Sequence, residues 1–489
     1  CTMRVSMLLA LVGMALIGLC VCDTPASCMT DQVLGEWVFS LSRAGDELPT
    51  SDQMDCSAYQ TKETYKVVLM SPNLAFDTDG LGGTWTMIYN QGFEVTIGGR
   101  KLFHFFKWDE AEDGTVTSYC GDSMPGMGWA HKATIPPTRW QCYSATKAVP
   151  IPPTTYSVKS HPLSESPMAR PFAHVSGPIT DRYLEGQSSW YSVEHPMWHD
   201  LPHSTIQRMG GSVRQPVERM AETNRVWSHP SALVEDSMFG SETYQHRVGA
   251  VLTGDLPTNW DWRDIDGTDY VTAVRDQGHC GSCFSFSTTG AMASRLRIAT
   301  DNKKTTEFAP QHIVSCSQYS QACDGGFEHL VVKFSEDYGI LPAESFPYTS
   351  GADGTVSSCD AQLDGDRYTF TRYEYLGGYY GASNEALMLN ELYLNGPMPV
   401  SIEVYDDFHD YAGGVYYHKD DELTTSFFEP TSHSVLLVGY GFDEDEQLPF
   451  WTIQNSWADG WGEEGYIRIV RGVDNCAVES APVRFFWQP

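Results

Sequence analysis

Between Val149 and Pro178 the chain carries seven prolines, interspersed with Ser, Thr and His. Such a stretch cannot build a hydrophobic core and reads as an exposed linker. It divides the 489 residues into two units that must each bury their own core. The charge follows the same division. Leu256–Pro489 holds 36 acidic and 13 basic residues, a net of −23, whereas the remaining 255 residues carry −9 of the total −32. With 41% apolar and 19% charged residues the chain is not disordered. So acidic a balance argues against nucleic acid or anionic lipid as partner, since both require a basic surface. It suits an acidic working compartment, where carboxylates titrate and the charge shrinks.

Arg4 is followed by a nearly continuous apolar run from Met7 to Cys22. Sixteen residues are short for a membrane span, which needs about 20. A basic start and small residues at Cys20 and Cys22 fit a secretory signal peptide over 1–22, with cleavage exposing Asp23. Thirteen cysteines agree with an oxidising compartment, and the chain has no Asn-x-Ser/Thr sequon. No later segment is apolar enough to cross a membrane.

Residues 23–148 read as a run of short strands. Glu36–Leu41, Thr64–Met70, Thr84–Tyr89, Phe93–Ile97 and Leu102–Phe106 are rich in β-branched and aromatic residues, and Asn90-Gln91-Gly92 and Asp113-Gly114 supply turns. Strands without a clear helix predict an all-β antiparallel barrel or sandwich, with Cys28, Cys56, Cys120 and Cys142 available for two disulfides. Residues 149–255 read as a covering segment rather than a domain, with helical spacing over Arg214–Trp227. From Leu256 helical signals come first, including Cys283–Thr300. Strands follow at Met398–Tyr405, His433–Tyr440 and Phe450–Gln454, so 256–489 is expected to be a two-lobed α+β unit.

The chemistry concentrates at Gln277-Gly-His-Cys-Gly-Ser-Cys283-Phe284. Cys283 opens the predicted helix, where the dipole field favours the thiolate that attacks a carbonyl. His433 would hold and return the proton, and Asn455, 22 residues further on, would orient it. Taken alone, Cys280-x-x-Cys283 fits a redox pair or half a zinc site. No βαβ context precedes it, and no second Cys-x-x-Cys follows.

Together, Cys283 with its flanks, His433, Asn455-Ser-Trp457 and Gln277 resemble the papain-like cysteine peptidases. The resemblance implies a nucleophile at Cys283, an acid/base at His433 and an orienting amide at Asn455. Gln277 would complete an oxyanion hole with the Cys283 N–H, and Trp457 would shield the His433–Asn455 contact. Asp23-Thr-Pro-Ala-Ser-Cys28, Gly35-Glu-Trp-Val-Phe39, Tyr89-Asn-Gln-Gly-Phe93, Leu256-Pro-Thr-Asn-Trp260 and Cys476-Ala-Val-Glu-Ser480 are similar to the dipeptidyl peptidase I branch of that family.

That branch implies an exclusion-type β-domain over 23–148, an excised activation segment over 149–255 and a peptidase domain over 256–489. It implies removal of dipeptides from free N-termini, with the Asp23 carboxylate receiving the substrate ammonium. Gly325 and Gly326 would pair with substrate backbone. A chloride would sit beside the second substrate pocket near Phe327, His329 and Tyr375; His329 stands where the branch has a Tyr giving a backbone contact. No metal or organic cofactor is implied. Implied disulfides are Cys28–Cys120, Cys56–Cys142, Cys280–Cys323 and Cys316–Cys359, leaving Cys283 and Cys476 free. The branch further implies a tetramer, an activating protease and a lysosomal, acidic-vesicle or secreted location; exposed segments are preferred for nicking, so the expected cut regions are the Pro-rich stretch from Val149, the join near Asp255–Leu256 and the acidic loop around Lys419–Thr425. The competing expectations are a papain-like endopeptidase in which the β-domain serves only folding, and a catalytically silent binding protein.

Overall fold

The computed structural model describes residues 24–43, 56, 59–125, 129–131, 141–157, 189–193, 195–198, scattered positions between 201 and 251, and then 254–359, 365–418 and 431–489. The leader 1–22, Asp23, the Arg214–Trp227 segment and the 419–425 loop lie outside the described residues.

A one-turn helix, α1 (Thr30–Val33), leads into ten strands: β1 (Gly35–Leu41), β2 (Glu63–Met70), β3 (Leu74–Asp77), β4 (Gly82–Ile88), β5 (Gly92–Ile97), β6 (Arg100–Glu110), β7 (Thr115–Ser123), β8 (Trp129–His131), β9 (Gln141–Lys147) and β10 (Thr154–Ser157). The order β1-β2-β3-β4-β5-β6-β8-β9 closes when β9 pairs back with β1, Trp37 opposite Lys147. All its pairings are antiparallel, and closure removes the free sheet edges. β7 bridges β6 and β9 and carries β10 on its outer side, so the start of the Pro-rich stretch joins the barrel as one more strand. Alternation decides which side chains go inside: Trp37, Phe39 and Leu41 of β1 meet Phe93, Val95, Leu102 and Phe106 in one core. The disulfides Cys28–Cys120 and Cys56–Cys142 tie the barrel's N-terminal segment and the chain before β2 to β7 and β9.

Within the covering segment, β11 (Trp190–Ser192) and β12 (Ser212–Val213) are short strands added to a sheet of the C-terminal unit. That unit contains β13 (Trp260–Asp261), α2 (Cys283–Thr300), α3 (Pro310–Cys316), α4 (Glu328–Tyr338), β14 (Thr369–Tyr375), α5 (Glu385–Asn395), β15 (Met398–Val404), β16 (Tyr411–Tyr416), β17 (Thr431–Asp443), β18 (Leu448–Gln454), β19 (Tyr466–Val470) and β20 (Val483–Gln488). One lobe is helical, around α2, α3 and α4. The other is a sheet in the order β16-β19-β18-β17, with β15 also on β17.

The two lobes meet along α2, which is buried from Cys283 to Leu296 and has no polar face. Its sequence explains this. Ser285, Ser287, Thr288, Thr289, Gly290, Ala291 and Ala293 are small enough for close approach, and Thr288 and Thr289 return their hydroxyls to the Phe284 and Ser285 carbonyls at 2.7 Å. At its far end a buried ion pair, Arg295–Glu391 at 2.9 Å, joins α2 to α5.

Candidate active site

The loop before α2 is tied to both lobes. Gln277 N–H donates to the Ser456 carbonyl at 2.9 Å, and Gly281 N–H to the Cys323 carbonyl at 2.9 Å beside the Cys280–Cys323 disulfide. Gly278 has φ +55°, and a Cβ there would stand 2.2 Å from the Gly351 carbonyl oxygen, so only glycine fits. Cys283 is therefore delivered to a fixed point at the helix start.

His433 comes from β17, where it lies opposite Ile402 of β15, and Asn455 follows directly on β18. The Asn455 Oδ1 accepts the Ser456 N–H at 2.8 Å, which fixes the amide orientation, and stands 2.8 Å from His433 Nε2. The imidazole proton is then on Nε2. His433 Nδ1 has no hydrogen-bond partner among the described residues. Trp457 is fully buried and stacks on His433 at 4.9 Å and on His409 at 5.3 Å, keeping water from the His433–Asn455 bond. Ser456 Oγ donates to Gln277 Oε1 at 2.6 Å, so Gln277 Nε2 points forward as a donor.

That donor is occupied. Gln277 Nε2 lies 3.0 Å from the carbonyl of Met209, a residue of the covering segment, and Trp457 Nε1 reaches the same oxygen at 3.4 Å. Val213 and Ser212 pair with Thr431 and Ser432, just before His433. A peptide of the chain itself lies across the site. The electrostatics reflect this cover. Burial pushes the Cys283 thiol up to about 12, with the Ser434 backbone working against it. Burial likewise lowers His433 to about 4, partly offset by the Asn455 bond. Sequence alone suggested a thiolate in the helix field. A helix terminus contributes at most about 2 kcal/mol, whereas burying an ion costs several, so the covered pair is neutral.

A model described as papain family cysteine protease matches residues 256–486, and one described as cathepsin C exclusion domain matches 23–147. A cathepsin C of Schistosoma mansoni is 35% identical over 469 residues, covering 95% of each chain. The chain belongs to the cathepsin C family of papain-type cysteine peptidases. It is a cysteine exopeptidase of the dipeptidyl peptidase I type. The cathepsin B-like CP3 of Giardia intestinalis is 34% identical over 49% of this chain and 78% of its own length. The solved procathepsin B S9 from Trypanosoma congolense matches with a TM-score of 0.50 at 22% identity, over 65% of this chain and all of that one, and shows the fold alone.

Among the described residues there are four disulfides: Cys28–Cys120, Cys56–Cys142, Cys280–Cys323 and Cys316–Cys359. Cys283 and Cys476 are outside these disulfides and buried. Gly325 (φ +131°) and Gly326 follow Cys323, and a Cβ on Gly326 would meet the Phe284 ring at 2.5 Å, so this loop lies against the residue after Cys283. Phe327 and Tyr375 are buried near each other through Tyr380 and Tyr89, and the Tyr375 hydroxyl has no partner among the described residues. His329 stacks on Tyr375 at 4.8 Å and points its Nε2 to Glu94 Oε1 at 3.4 Å. Among the described residues no group of three His, Cys, Asp or Glu is placed to hold a metal, and no helix is long and apolar enough to cross a membrane.

Sequence reasoning missed the barrel residues that reach this region. Tyr89, at the end of β4, bonds to Ser401 and approaches Glu328 at 3.4 Å. Glu94 of β5 accepts from Tyr373 at 2.8 Å, and Lys101 of β6 pairs with Glu336 and covers the Tyr373 ring at 3.9 Å. Charged residues in an amphipathic strand normally read as its solvent face, so the sequence held no sign that these lie at an interface.

Proposed function

We propose that the matured protein removes dipeptides from free N-termini by covalent catalysis, with Cys283 as nucleophile. Once the site is uncovered, the Cys283 proton passes to His433 Nδ1. The thiolate attacks the second peptide carbonyl, and Gln277 Nε2 and the Cys283 N–H receive the oxyanion in the place now held by the Met209 carbonyl. His433 then protonates the leaving amine, water hydrolyses the acyl-enzyme with His433 as base, and Asn455 keeps the ring aligned throughout.

The observation that carries this reading is the docking of the barrel beside the site. Thr24, the neighbour of Asp23, is buried and donates to Gln91, and the Cys28 N–H donates to the Asn90 carbonyl at 2.8 Å. Both partners belong to the hairpin whose Tyr89 touches Phe327, Ser401 and Glu328. That proximity supports Asp23 as the anchor for the substrate ammonium, a charge-assisted contact about twice as strong as a neutral hydrogen bond. The unpaired, buried Tyr375 hydroxyl supports an anion such as chloride at the same wall. The Met209 carbonyl supports 149–255 as an activation segment excised by another protease in an acidic secretory compartment.

Digesting a long peptide with a free N-terminus should release successive dipeptides, and its N-acetylated form should stay intact. Internal fragments from either peptide would refute the exopeptidase assignment.

A further inference from the structure

Both oxyanion donors sit on one short loop, the Gln277 side chain at its start and the Cys283 N–H at its end. They can serve one oxygen only if the two ends are held at a fixed separation. The Cys280–Cys323 disulfide anchors the middle of the loop, and the Gln277 N–H ties its start to the Ser456 carbonyl. Neither contact joins one end to the other.

One hydroxyl does. Tyr348 O–H donates to the Gln277 carbonyl at 2.7 Å, and its oxygen stands 2.8 Å from Ser282 Oγ. A phenol has a single proton, and a carbonyl can only accept, so Ser282 is the donor in the second bond. Ser282 is the N-cap of α2, a place where serine ordinarily accepts from the first helical N–H groups. Here its side chain caps none of them. It is turned to Tyr348 instead, and the Ser282–Cys283 peptide, which carries the Cys283 N–H, is fixed with it. At the other end Gln277 Nε2 directs one proton to the Cys280 carbonyl of the same loop at 3.0 Å. The other is left for the place now held by the Met209 oxygen.

Tyr348 is itself held. Its ring meets Phe286 of α2 edge-on at 4.7 Å. The next two residues, Thr349 and Ser350, donate their N–H groups to Oε1 of Gln311 at 2.8 and 3.1 Å, and Gln311 is fully buried in α3. The Gly351 carbonyl then accepts the His279 N–H at 2.9 Å, a further tie to the loop. Burial raises the Tyr348 hydroxyl well above the ordinary tyrosine range, so the donor keeps its proton.

We propose that Tyr348 is a positioning residue of the oxyanion hole. Its hydroxyl holds the start and end of the 277–283 loop at the spacing that lets Gln277 Nε2 and the Cys283 N–H bind the same oxygen. The assignment rests on the covalent mechanism above and adds a residue that acts through its two donors.

The test compares matured wild type with Tyr348→Phe, which keeps the ring and removes the hydroxyl. Two reactions of Cys283 are measured: hydrolysis of a dipeptidyl-arylamide, which forms an oxyanion, and alkylation by iodoacetamide, which forms none. Losing one such donor outright costs on the order of 10²–10³ in kcat, so displacing it should lower kcat by at least about tenfold. KM and the alkylation rate should stay within about twofold of wild type, because neither reads the oxyanion. A misplaced donor matters less once that donor is gone, so in a Gln277→Ala background the same change should cost about threefold or less. Ser282→Ala removes the other bond and should repeat the split between the two reactions if Tyr348→Phe folds poorly. An unchanged kcat in Tyr348→Phe overturns the assignment and leaves the acyl-transfer mechanism standing. Equal losses in hydrolysis and alkylation also overturn it, since the hydroxyl would then serve the thiol or the fold. So does the full cost persisting in the Gln277→Ala background. Wild type that is alkylated at Cys283 yet hydrolyses no arylamide would overturn the peptidase mechanism and this assignment with it.

Discussion

Two parts of the chain approach the same face of the peptidase unit, and they are attached in different ways. The barrel makes its contact with buried charge. Glu94 accepts from Tyr373 and faces His329, Lys101 pairs with Glu336, and the Tyr380 N–H donates to Thr86 Oγ1 at 3.0 Å. The covering segment makes its contact with backbone and aromatic rings. β11 and β12 are three and two residues long, Trp198 packs edge-on against Trp457 at 5.2 Å, and one carbonyl lies on Gln277. A closed, disulfide-stapled barrel keeps its own fold when the chain beside it is cut. Short added strands leave once the chain beside them is cut. Under the proposed function, the difference separates a wall that stays and limits what enters from a cover that is removed when the site opens.

The largest expected effect removes the chemistry and leaves both contacts in place. Cys283→Ser should lower dipeptidyl-arylamide turnover below about a thousandth of wild type, because the hydroxyl lacks an accessible anion. Melting of the barrel and binding of the cover should not change. Activity above that level would show that the covered thiol is not the nucleophile.

Trp198→Ala tests the cover. Losing a buried tryptophan costs about 3–5 kcal/mol, so the excised 149–255 segment, added back to matured enzyme, should inhibit at least a hundredfold more weakly. Unchanged inhibition would mean that the Met209 region binds by itself. Glu94→Ala tests the wall. It strands His329 and Tyr373 in a buried site, with an expected loss of about 3 kcal/mol in thermal or denaturant unfolding, and products longer than dipeptides should appear.

Acid should separate the two contacts. His433 is held at about 4 under the cover, against an ordinary value of about 6.5 once exposed to solvent. The uncovered state therefore binds more protons between those values. The cover is at full strength above pH 6.5 and loosens as pH falls toward 4, by up to about tenfold per unit. Glu94 behaves differently. Burial would raise its pKa, but the His329 bond and the His329, Lys333 and Lys101 charges hold it well below the usual carboxylate range. Its contribution is present above the ordinary value near 4.3 and is lost only as pH falls through the lowered one. Alkylation of Cys283 by iodoacetamide in the uncut chain should speed up between pH 6.5 and 4.5 after correction for thiolate fraction, while hydrogen exchange in β5 stays slow. The smallest expected effect is on chloride. Dialysis against chloride-free buffer should slow hydrolysis a few-fold, and Tyr375→Phe should blunt that response.

The sequence made the cover's chemistry harder to see than the catalytic residues. Cys283, His433, Asn455 and Gln277 stand in fixed order with diagnostic neighbours, and α2 starts at Cys283 and ends at Thr300 as its pattern indicates. Strand runs such as Phe93–Ile97 and Phe450–Gln454 lie within β5 and β18, because alternation and β-branching report local burial directly. Interface groups leave no such trace. Glu94, Lys101 and Glu328 look like solvated charges until a second unit covers them. The Met209 carbonyl is backbone, which no residue type announces. The neutral state of the covered Cys283 leaves no trace for the same reason: the helix field is a local property, but burial by a distant segment is not.

The most direct test of wall against cover is to mature the protein, label it with a thiol-reactive active-site probe and map by mass spectrometry the peptides that co-purify with labelled Cys283. Barrel peptides spanning 24–147 should be recovered in equal amount with the label, and peptides spanning 189–213 should be absent. Labelled enzyme that retains the Met209 segment, or lacks the barrel while still releasing only dipeptides, would contradict the account.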